Sequence, residues 1–544
     1  MPSTEYWVLS TGYQVLLHFL ANLSAGRYDS KVVRLTQEEH SDFRTIPTSM
    51  SKGGIMLANC LRAFWLLMFV AVWLPSDSVA RGEDASAAID HLQGEMAGEA
   101  TAESVILQSR LTAPTLDDHG DAPGRSGVAC FEIADNPEMK DARRTMWLRA
   151  DPKNDYIVKI KVNGLQPRTS YNYRLVYGPD EQHTALGPIR TFRTLAGDVS
   201  AGARFVVVTG MNHARFMQGP ADDGKGGAEG DDRKLGFPAF EAIHRLKPDF
   251  FISTGDSVYY DIPLRTRAME PDAMRRKWRE VLLQPRAVSL FGSVPTYWEK
   301  DDHDTRYDDC DATGDRKPSL VDGIRVFNEQ APVVDPAEPA PKTYRTLQVS
   351  KELQFWLLEG RDYRSPNSMP DGPEKSMWGA EQLAWLKKSL LESKATFKLL
   401  ILPTPMVGPD GPVKRDSHVN FDGFRHERDA FFRWVKEQGL VERGLMIVCG
   451  DRHWQYHSID PTGIEEFSTG ALVTNNARLG VKPGEKDSSD PEGTIKQPFT
   501  SPKPVGGFLL VTVLPAKEGK PATAKFDFYD EQGNVLYTVS RPAK

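Results

Sequence analysis

Residues 248–261 read Pro-Asp-Phe-Phe-Ile-Ser-Thr-Gly-Asp-Ser-Val-Tyr-Tyr-Asp, and this stretch decides the fold. Pro248 closes a preceding helix, the apolar run after it reads as a buried parallel strand, and a Gly-Asp pair stands where that strand must stop. Open α/β sheets place their chemistry at this carboxyl edge. Gly255 permits a tight turn and close approach of the backbone to a ligand. Asp256 then stands at the strand end, where a carboxylate can bridge two cations. The phenol of Tyr259, three residues on, can bind a hard trivalent ion as phenolate. A plain strand-end turn with an N-capping aspartate has the same spacing, so the rest of the chain must decide.

Upstream, Arg204-Phe205-Val206-Val207-Val208 is a second buried-strand candidate, followed by the turn Thr209-Gly210-Met211-Asn212-His213. After a Gly- and Asp-rich loop over 219–232, Phe240, Ile243 and Leu246 fall at helical spacing before Lys247-Pro248 ends the run. Strand, helix and strand at this distance predict a right-handed βαβ unit, with 209–213 and 255–259 side by side. Downstream, a predicted helix carries Arg265, Arg267, Arg275, Arg276, Lys277 and Arg279. A solvated helix face is the simpler reading of these charges, and a phosphate clamp the sharper one.

A strand-like run from Val294 then leads into Lys300-Asp301-Asp302-His303-Asp304. Three carboxylates and an imidazole in four consecutive residues repel one another in a dry core, so cations neutralise the cluster or a surface loop exposes it. Strand and helix keep alternating beyond it. Residues 378–393 place Leu383, Leu386 and Leu390 on a helical face, 397–403 read as a buried strand, and a basic loop holds Lys414, Arg415 and His418. Residues 427–438 form another predicted helix, and Leu445-Met446-Ile447-Val448-Cys449 runs into Gly450-Asp451-Arg452-His453, a second Gly-Asp at a strand end. His457 lies four residues past His453; after a strand-end turn only one of the two is expected to reach a site. Segments 508–513, 525–529 and 535–537 read as strands completing a sheet.

The chain before residue 195 has another character. Residues 156–162 and 171–177 alternate side chains across a Gly-Leu-Gln-Pro turn, and the phrase from Val162 to Arg174, closing on residues 187–194, resembles a fibronectin type III-like module. Its aromatic stripe reads as core. Residues 60–74, Cys-Leu-Arg-Ala-Phe-Trp-Leu-Leu-Met-Phe-Val-Ala-Val-Trp-Leu, with Lys52 and Arg62 near them and Ser78-Val79-Ala80 after them, have the anatomy of a secretory signal peptide. The expected organisation is an upstream extension over 1–49 from a misplaced start, a signal peptide over 50–80, a linker over 81–102, a β-sandwich over 103–196 and a catalytic domain over 202–540. A signal anchor with a short amino-terminal tail is the alternative for the first two.

Composition bounds what remains. A chain of 544 residues with 26% charged and 10% aromatic residues describes a soluble globular protein of more than one domain, and a net charge of −7 argues against broad binding to nucleic acid or anionic membrane. Of the four cysteines, Cys60 lies in the signal segment; Cys130, Cys310 and Cys449 are too widely spaced for a disulfide framework. Cys449 reads as a small buried hydrophobe. No Gly-x-Ser-x-Gly elbow is present to supply a nucleophile.

Four polar clusters thus follow buried-strand candidates in order: Thr209 to His213, Gly255-Asp256 with Tyr259, Asp301-Asp302-His303, and Gly450-Asp451 with His453. This ordered set resembles the calcineurin-like metallophosphatases, and in detail the alkaline phosphatase D (PhoD-like) family, from about residue 104 to the end. The resemblance implies an α/β metallophosphatase sandwich, two sheets flanked by helices, preceded by a small all-β domain. It matches Asp256 to the bridging carboxylate and Tyr259 to the tyrosine ligand. Asp302 falls where relatives carry an asparagine ligand, His303 where a histidine serves the leaving group, and Asp451 and His453 on the last ligand pair.

The match departs from the family at the first motif, which lacks the Ser-Cys that supplies a thiolate. Asn212 as ligand, or His213, is the candidate substitute, giving a harder site. The histidine usual after the fourth strand is also missing, and His418, with Arg415 beside it, is the candidate substitute or phosphate contact. The implied cofactors are two or more metal ions, ferric iron and calcium first, with zinc or manganese as alternatives. The implied activity is that of an exported, periplasmic or extracellular monomer, with no membrane span after signal removal, hydrolysing phosphomonoesters or phosphodiesters through metal-activated hydroxide. His303 would donate the proton that the leaving alkoxide needs. The alternatives are a phosphodiesterase for lipid or polymer substrates, and a non-catalytic surface-binding protein that keeps the fold. Deleting residues 1–49 is predicted to leave export intact, read as the fraction of protein reaching the periplasm or medium; loss of secretion would refute the start-site reading.

Overall fold

The computed structural model describes residues 88–544, so the predicted extension and signal peptide lie outside the described residues. Two large mixed sheets pack face to face. The first runs in the order Val535–Pro542, Thr523–Asp530, Gly507–Leu514, Ala203–Val208, Phe250–Thr254, Thr296–Glu299, Glu95–Gly98, Ser104–Arg110 and Ile157–Asn163. The second runs Arg345–Ser350, Leu353–Leu357, Phe397–Leu402, Leu445–Cys449, Glu465–Thr469, Gln455–Ile459 and Lys496–Thr500. Phe250–Thr254 is parallel to both neighbours, with Phe250 opposite Phe205 and Thr254 opposite Glu299. Phe397–Leu402 and Leu445–Cys449 are parallel neighbours in the other sheet.

These strands are apolar along most of their length because both of their faces are covered. Phe250 and Ile252 enter the core between the sheets with Phe205, Phe355, Leu399 and Val448. Phe251, one residue out of phase, enters the outer core with Phe240, Trp278, Phe291 and Trp298. Helices Pro238–Leu246, Pro271–Leu282, Pro285–Phe291 and Leu320–Gln330 close that outer face. On the far side Gly379–Glu392 and Arg425–Glu437 set Leu386, Leu390, Phe431 and Val435 against Trp356, Leu400 and Ile447. The layers are helix, sheet, sheet, helix, as the resemblance implies, and parallel strands end their chains of hydrogen bonds at one common edge.

The amino-terminal part departs from its prediction. Residues 81–102 read as a linker because Ala, Gly and acidic residues dominate, yet Glu95–Gly98 is a buried strand. It pairs antiparallel with Ser104–Arg110 and meets Thr296–Glu299 in parallel at Gly98 and Thr296. Small residues are required there by packing: a Cβ on Gly98 would sit 2.5 Å from the Pro332 carbonyl oxygen. Ser104–Arg110 and Ile157–Asn163 therefore extend the nine-stranded sheet, and a third sheet built on Gly127–Ala134 and Ser170–Gly178 packs on them through Leu107, Phe131, Val158, Tyr173 and Phe192.

The basic helix is corrected as well. In Pro271–Leu282 the favoured solvated face fails for Arg275 and Arg279, which pair with Glu329 at 2.7 Å and with Asp121 at 2.7 Å and Asp155 at 3.1 Å. The Arg279 pairs tie the amino-terminal part to the catalytic half, and Arg275 adds a hydrogen bond to the Lys153 carbonyl at 2.9 Å. Cys130, Cys310 and Cys449 are buried and free.

His457 lies within Gln455–Ile459, turned away from the strand ends, where it stacks on Phe467 and bonds Glu465 at 2.8 Å. Arg541 also bonds Glu465, at 2.6 and 2.7 Å. Burial raises the Glu465 carboxyl, but the His457 and Arg541 hydrogen bonds outweigh it and push the pKa from 4.5 down to about 2. A depressed folded pKa stabilises the fold above the unfolded value and is lost as pH falls through the folded one. Glu465→Gln is predicted to cost about 1.5–3 kcal/mol at neutral pH, the range for hydrogen bonds to a charged group. The gap to the wild type should close between pH 4.5 and about 2 in thermal unfolding; a gap independent of pH would refute the assignment.

Candidate metal centre

The two Gly-Asp turns face one another at the common strand edge. Gly255, with φ +90°, brings its backbone so close to the next loop that a Cβ would lie 2.5 Å from the Asp301 nitrogen. Asp256 and Asp451 both adopt left-handed backbone, with φ 54° and 55°, which few non-glycine residues take outside constrained turns. The Met211 amide donates to the Asp256 carbonyl at 2.8 Å, and the Ser257 and Asp301 amides donate to the Asp304 carboxylate at 3.0 and 2.6 Å. The loops carrying the first three motifs are thereby locked together.

Asp256, Asp302 and His303, all buried, bring one ligand atom each within 4.8 Å of one another. Tyr259 donates its hydroxyl to Asp256 Oδ2 at 2.8 Å, and His453 Nε2 stands 3.1 Å from that oxygen and 3.2 Å from the Tyr259 hydroxyl. Asp256 Oδ1 is buried without a hydrogen-bond partner. A carboxylate oxygen withheld from water and from every donor, beside a second carboxylate, two imidazoles and a phenol, is a donor set suited to hard or borderline cations. The residues fit a metal centre.

Other predicted site residues fall elsewhere. Asp451 is turned onto the Arg452 guanidinium, which also holds Asp410. Asn212 caps helix His213–Gln218, accepting from the Arg215 amide at 3.0 Å, and its amide faces Asn476 at 3.4 Å, so its oxygen is engaged as a cap. His213 points to Glu280, 3.6 Å away. Neither replaces the missing thiolate in this arrangement. His418 is buried against Trp378 and Phe424 and bonds Glu427 at 2.9 Å, so it packs the second sheet's helices. Arg415 is exposed and pairs with Asp422 at 3.3 Å.

Electrostatics separate the remaining groups by role. Burial opposes charge on His303, but Asp302, Asp261 and Asp256 outweigh it and hold the imidazole well above its ordinary pKa. Its Nδ1 is taken by Asp261 at 2.7 Å, which fixes the ring and leaves Nε2 for chemistry. For His453, burial and then Arg478, His303, Arg452 and Arg215 act together to push the pKa far down, so it is the neutral form that a cation needs. Burial and Asp256 raise the Tyr259 hydroxyl, while the Asn476 amide, donating at 2.8 Å, opposes them. Burial drives Asp301 up to about 6 although Arg361 bonds it at 2.6 Å; Asp302 is lowered, because His303, Arg361 and Lys414 outweigh its burial.

Sequence reasoning missed Asp261, Asn476 and Arg361. Asp261 stood five residues after Asp256 in the same quoted stretch, a signal that was available. Asn476 and Arg361 reach the site from loops with no motif of their own.

The two-sheet sandwich with a carboxylate, imidazole and phenol cluster at its strand ends defines a metallophosphatase. Residues 230–499 match the PhoD-like phosphatase family and residues 78–195 match the PhoD-like phosphatase N-terminal domain. The chain belongs to the PhoD-like phosphatases and is a metal-dependent phosphoric ester hydrolase. The solved structure of PhoD superposes with TM-score 0.65 at 17% identity over 83% of this chain and 90% of that one. A purple acid phosphatase from yellow lupin (Lupinus luteus) seeds superposes with TM-score 0.52 at 14% identity over 82% and 73%. No curated protein sequence matches the chain.

Arg361 is 1% exposed and stands between Asp301, the Cys310 carbonyl at 2.9 Å, Asp416 at 3.8 Å and Asp302 at 4.0 Å. Removing one member of such a buried set leaves charge unpaired. Arg361→Met is predicted to destabilise the protein by about 3–5 kcal/mol. Urea unfolding of chelator-treated protein checks it; an unchanged midpoint would mean that Asp301 is uncharged in the fold.

Proposed function

We propose that the protein is an exported monomer hydrolysing phosphomonoesters, with phosphodiesters as the secondary class, and that residues 202–540 carry the chemistry while 103–196 form an accessory β-domain. The unpartnered Asp256 Oδ1 amid Asp302, His303, Tyr259 and His453 carries this reading. Asp256, Asp302, Tyr259 and His453 would hold the cations, for which ferric iron with calcium is the preferred pair and zinc or manganese the alternative. Bound cations supply Lewis-acid polarisation of the phosphoryl oxygens and an acidified water. His303, oriented by Asp261, presents Nε2 for proton donation to the departing alkoxide. Asp308, with its carboxylate 3.6 Å from that nitrogen, stands at the mouth of the same route.

Export is supported by the sequence anatomy of residues 50–80. Among the described residues no helix is long and apolar enough to cross a membrane. A second reading, a diester with an apolar leaving group, is favoured by Leu264, Val413 and Leu479, apolar side chains that are 74%, 87% and 59% exposed in segments following the Phe250–Thr254, Phe397–Leu402 and Leu445–Cys449 strands in the chain.

Hydrolysis of a chromogenic phosphomonoester and its diester is predicted to be abolished by chelator and restored by metal. Asp256→Asn should cost about a thousandfold or more, as removal of one transition-state-stabilising group does. Turnover indifferent to both chelator and substitution would refute the reading, and a higher rate on the diester would move the assignment to the second class.

A further inference from the structure

Arginines at this end of the molecule are mostly paired: Arg361 with Asp301, Arg452 with Asp410 and Asp451. Arg215 and Arg478 form no ion pair among the described residues. Arg215 donates from Nη1 to Asn476 Oδ1 at 3.0 Å, and its Nε is buried with no partner. Asn476 in turn donates to the Tyr259 hydroxyl, so this guanidinium stands one amide away from the metal cradle. Arg478 hangs its amide on the His453 carbonyl at 2.9 Å and lays its guanidinium 5.9 Å from the Trp454 ring centroid. Its side chain is open to solvent, yet surrounding protein and Arg452 push its pKa down. Both arginines act on His453, and Arg478 also feels Tyr259 and Asp308. Arg215 reaches the cradle through Asn476 and the Tyr259 hydroxyl, and Arg478, two residues past Asn476, is fixed to the His453 backbone.

An unpaired guanidinium on an open surface is ordinarily just solvated. Here one carries a buried, unsatisfied donor and the other is seated against an indole, and both are anchored to residues 476–478 beside the cradle. Resting on the phosphatase reading above, we infer that Arg215 and Arg478 form an anion clamp that grips non-bridging oxygens of the substrate's phosphoryl group and selects dianionic phosphomonoesters over monoanionic diesters. Guanidinium groups stay charged and their forked donors match a pair of phosphate oxygens. In a diester one of those oxygens carries a second alcohol and the negative charge is halved, so the clamp loses a partner.

The test uses the full-length, metal-loaded protein with p-nitrophenyl phosphate, bis(p-nitrophenyl) phosphate and inorganic phosphate. Arg478→Gln should raise KM for the monoester and the inhibition constant of phosphate about tenfold, the scale of one charge-assisted hydrogen bond, with kcat nearly unchanged. The diester KM should move less than about twofold, and Arg478→Lys should restore part of the loss. Arg215→Gln should act in the same direction at an unchanged melting temperature. Equal effects on both esters, or an unchanged phosphate constant, would overturn the clamp. Should the wild type hydrolyse neither ester, the phosphatase reading fails by itself. Calorimetric binding of phosphate to wild type and Arg478→Gln then decides the clamp: weaker binding by the variant supports it and equal binding overturns it.

Discussion

Burial of negative charge is the constraint on which this structure depends. Asp256, Asp301, Asp302 and Asp304 are each almost wholly withdrawn from water, and ionised carboxylates in a protein interior cost several kcal/mol each unless compensated. The chain compensates them in different ways. Asp301 has the Arg361 guanidinium, Asp304 has two backbone amides and a pKa raised to about 7, and Asp302 has the His303 and Asp309 amides at 2.9 and 2.6 Å with cations beyond. Asp256 Oδ1 and Asp301 Oδ2 are both left without a partner, and of these two residues only Asp256 stands against Tyr259 and His453. Asp301 and Asp304 thus hold the loops through Arg361 and the backbone amides, while Asp256, whose free oxygen lies in the cluster with Asp302 and His303, is the one placed to meet a ligand.

This sorting explains why the acidic run was only partly legible in sequence. That Asp301-Asp302-His303-Asp304 needed neutralisation followed from charge alone. Which carboxylate turned outward to a ligand and which inward to an arginine did not, because Arg361 and Asn476 arrive from loops that carry no motif. The strands were legible for a physical reason: parallel strands covered on both faces must be continuously apolar, and Phe250–Thr254, Phe397–Leu402 and Leu445–Cys449 are. His418 misled because a buried histidine paired with a glutamate among aromatics leaves the same sequence trace as a ligand in a basic loop. Asn212 misled similarly, since the residue that ends a strand before a helix serves as a cap. The linker over 81–102 failed because small residues chosen for close packing look like residues chosen for flexibility.

The first motif is where this chain differs most from its expected pattern. Without a thiolate there, the phenol of Tyr259 and the neutral imidazole of His453 are the residues other than Asp256 on that side of the cradle, and Asn476 ties the phenol to Arg215. Loss of a soft anionic ligand makes the donor set harder and less negative. Arg215, held by Asn476, and Arg478, whose amide bonds the His453 carbonyl, stand beside this edge without a carboxylate partner among the described residues.

The strand Thr296–Glu299 joins the two halves of the molecule mechanically. On one side it pairs with Phe250–Thr254, which ends in Asp256; on the other it meets Glu95–Gly98, the strand read as linker. It ends one residue before Lys300, whose ammonium is buried between Glu359 and, at 2.9 Å, Asp362. Asp301 and Asp302 follow at once. Any shift of the amino-terminal strands against the catalytic sheet would pass along this strand into the loop that holds His303, and the Arg279 ion pairs with Asp121 and Asp155 across the same junction oppose such a shift. The amino-terminal sheet is thus more than an appended module: its hydrogen bonds continue the sheet that sets the distance between Asp256 and Asp302.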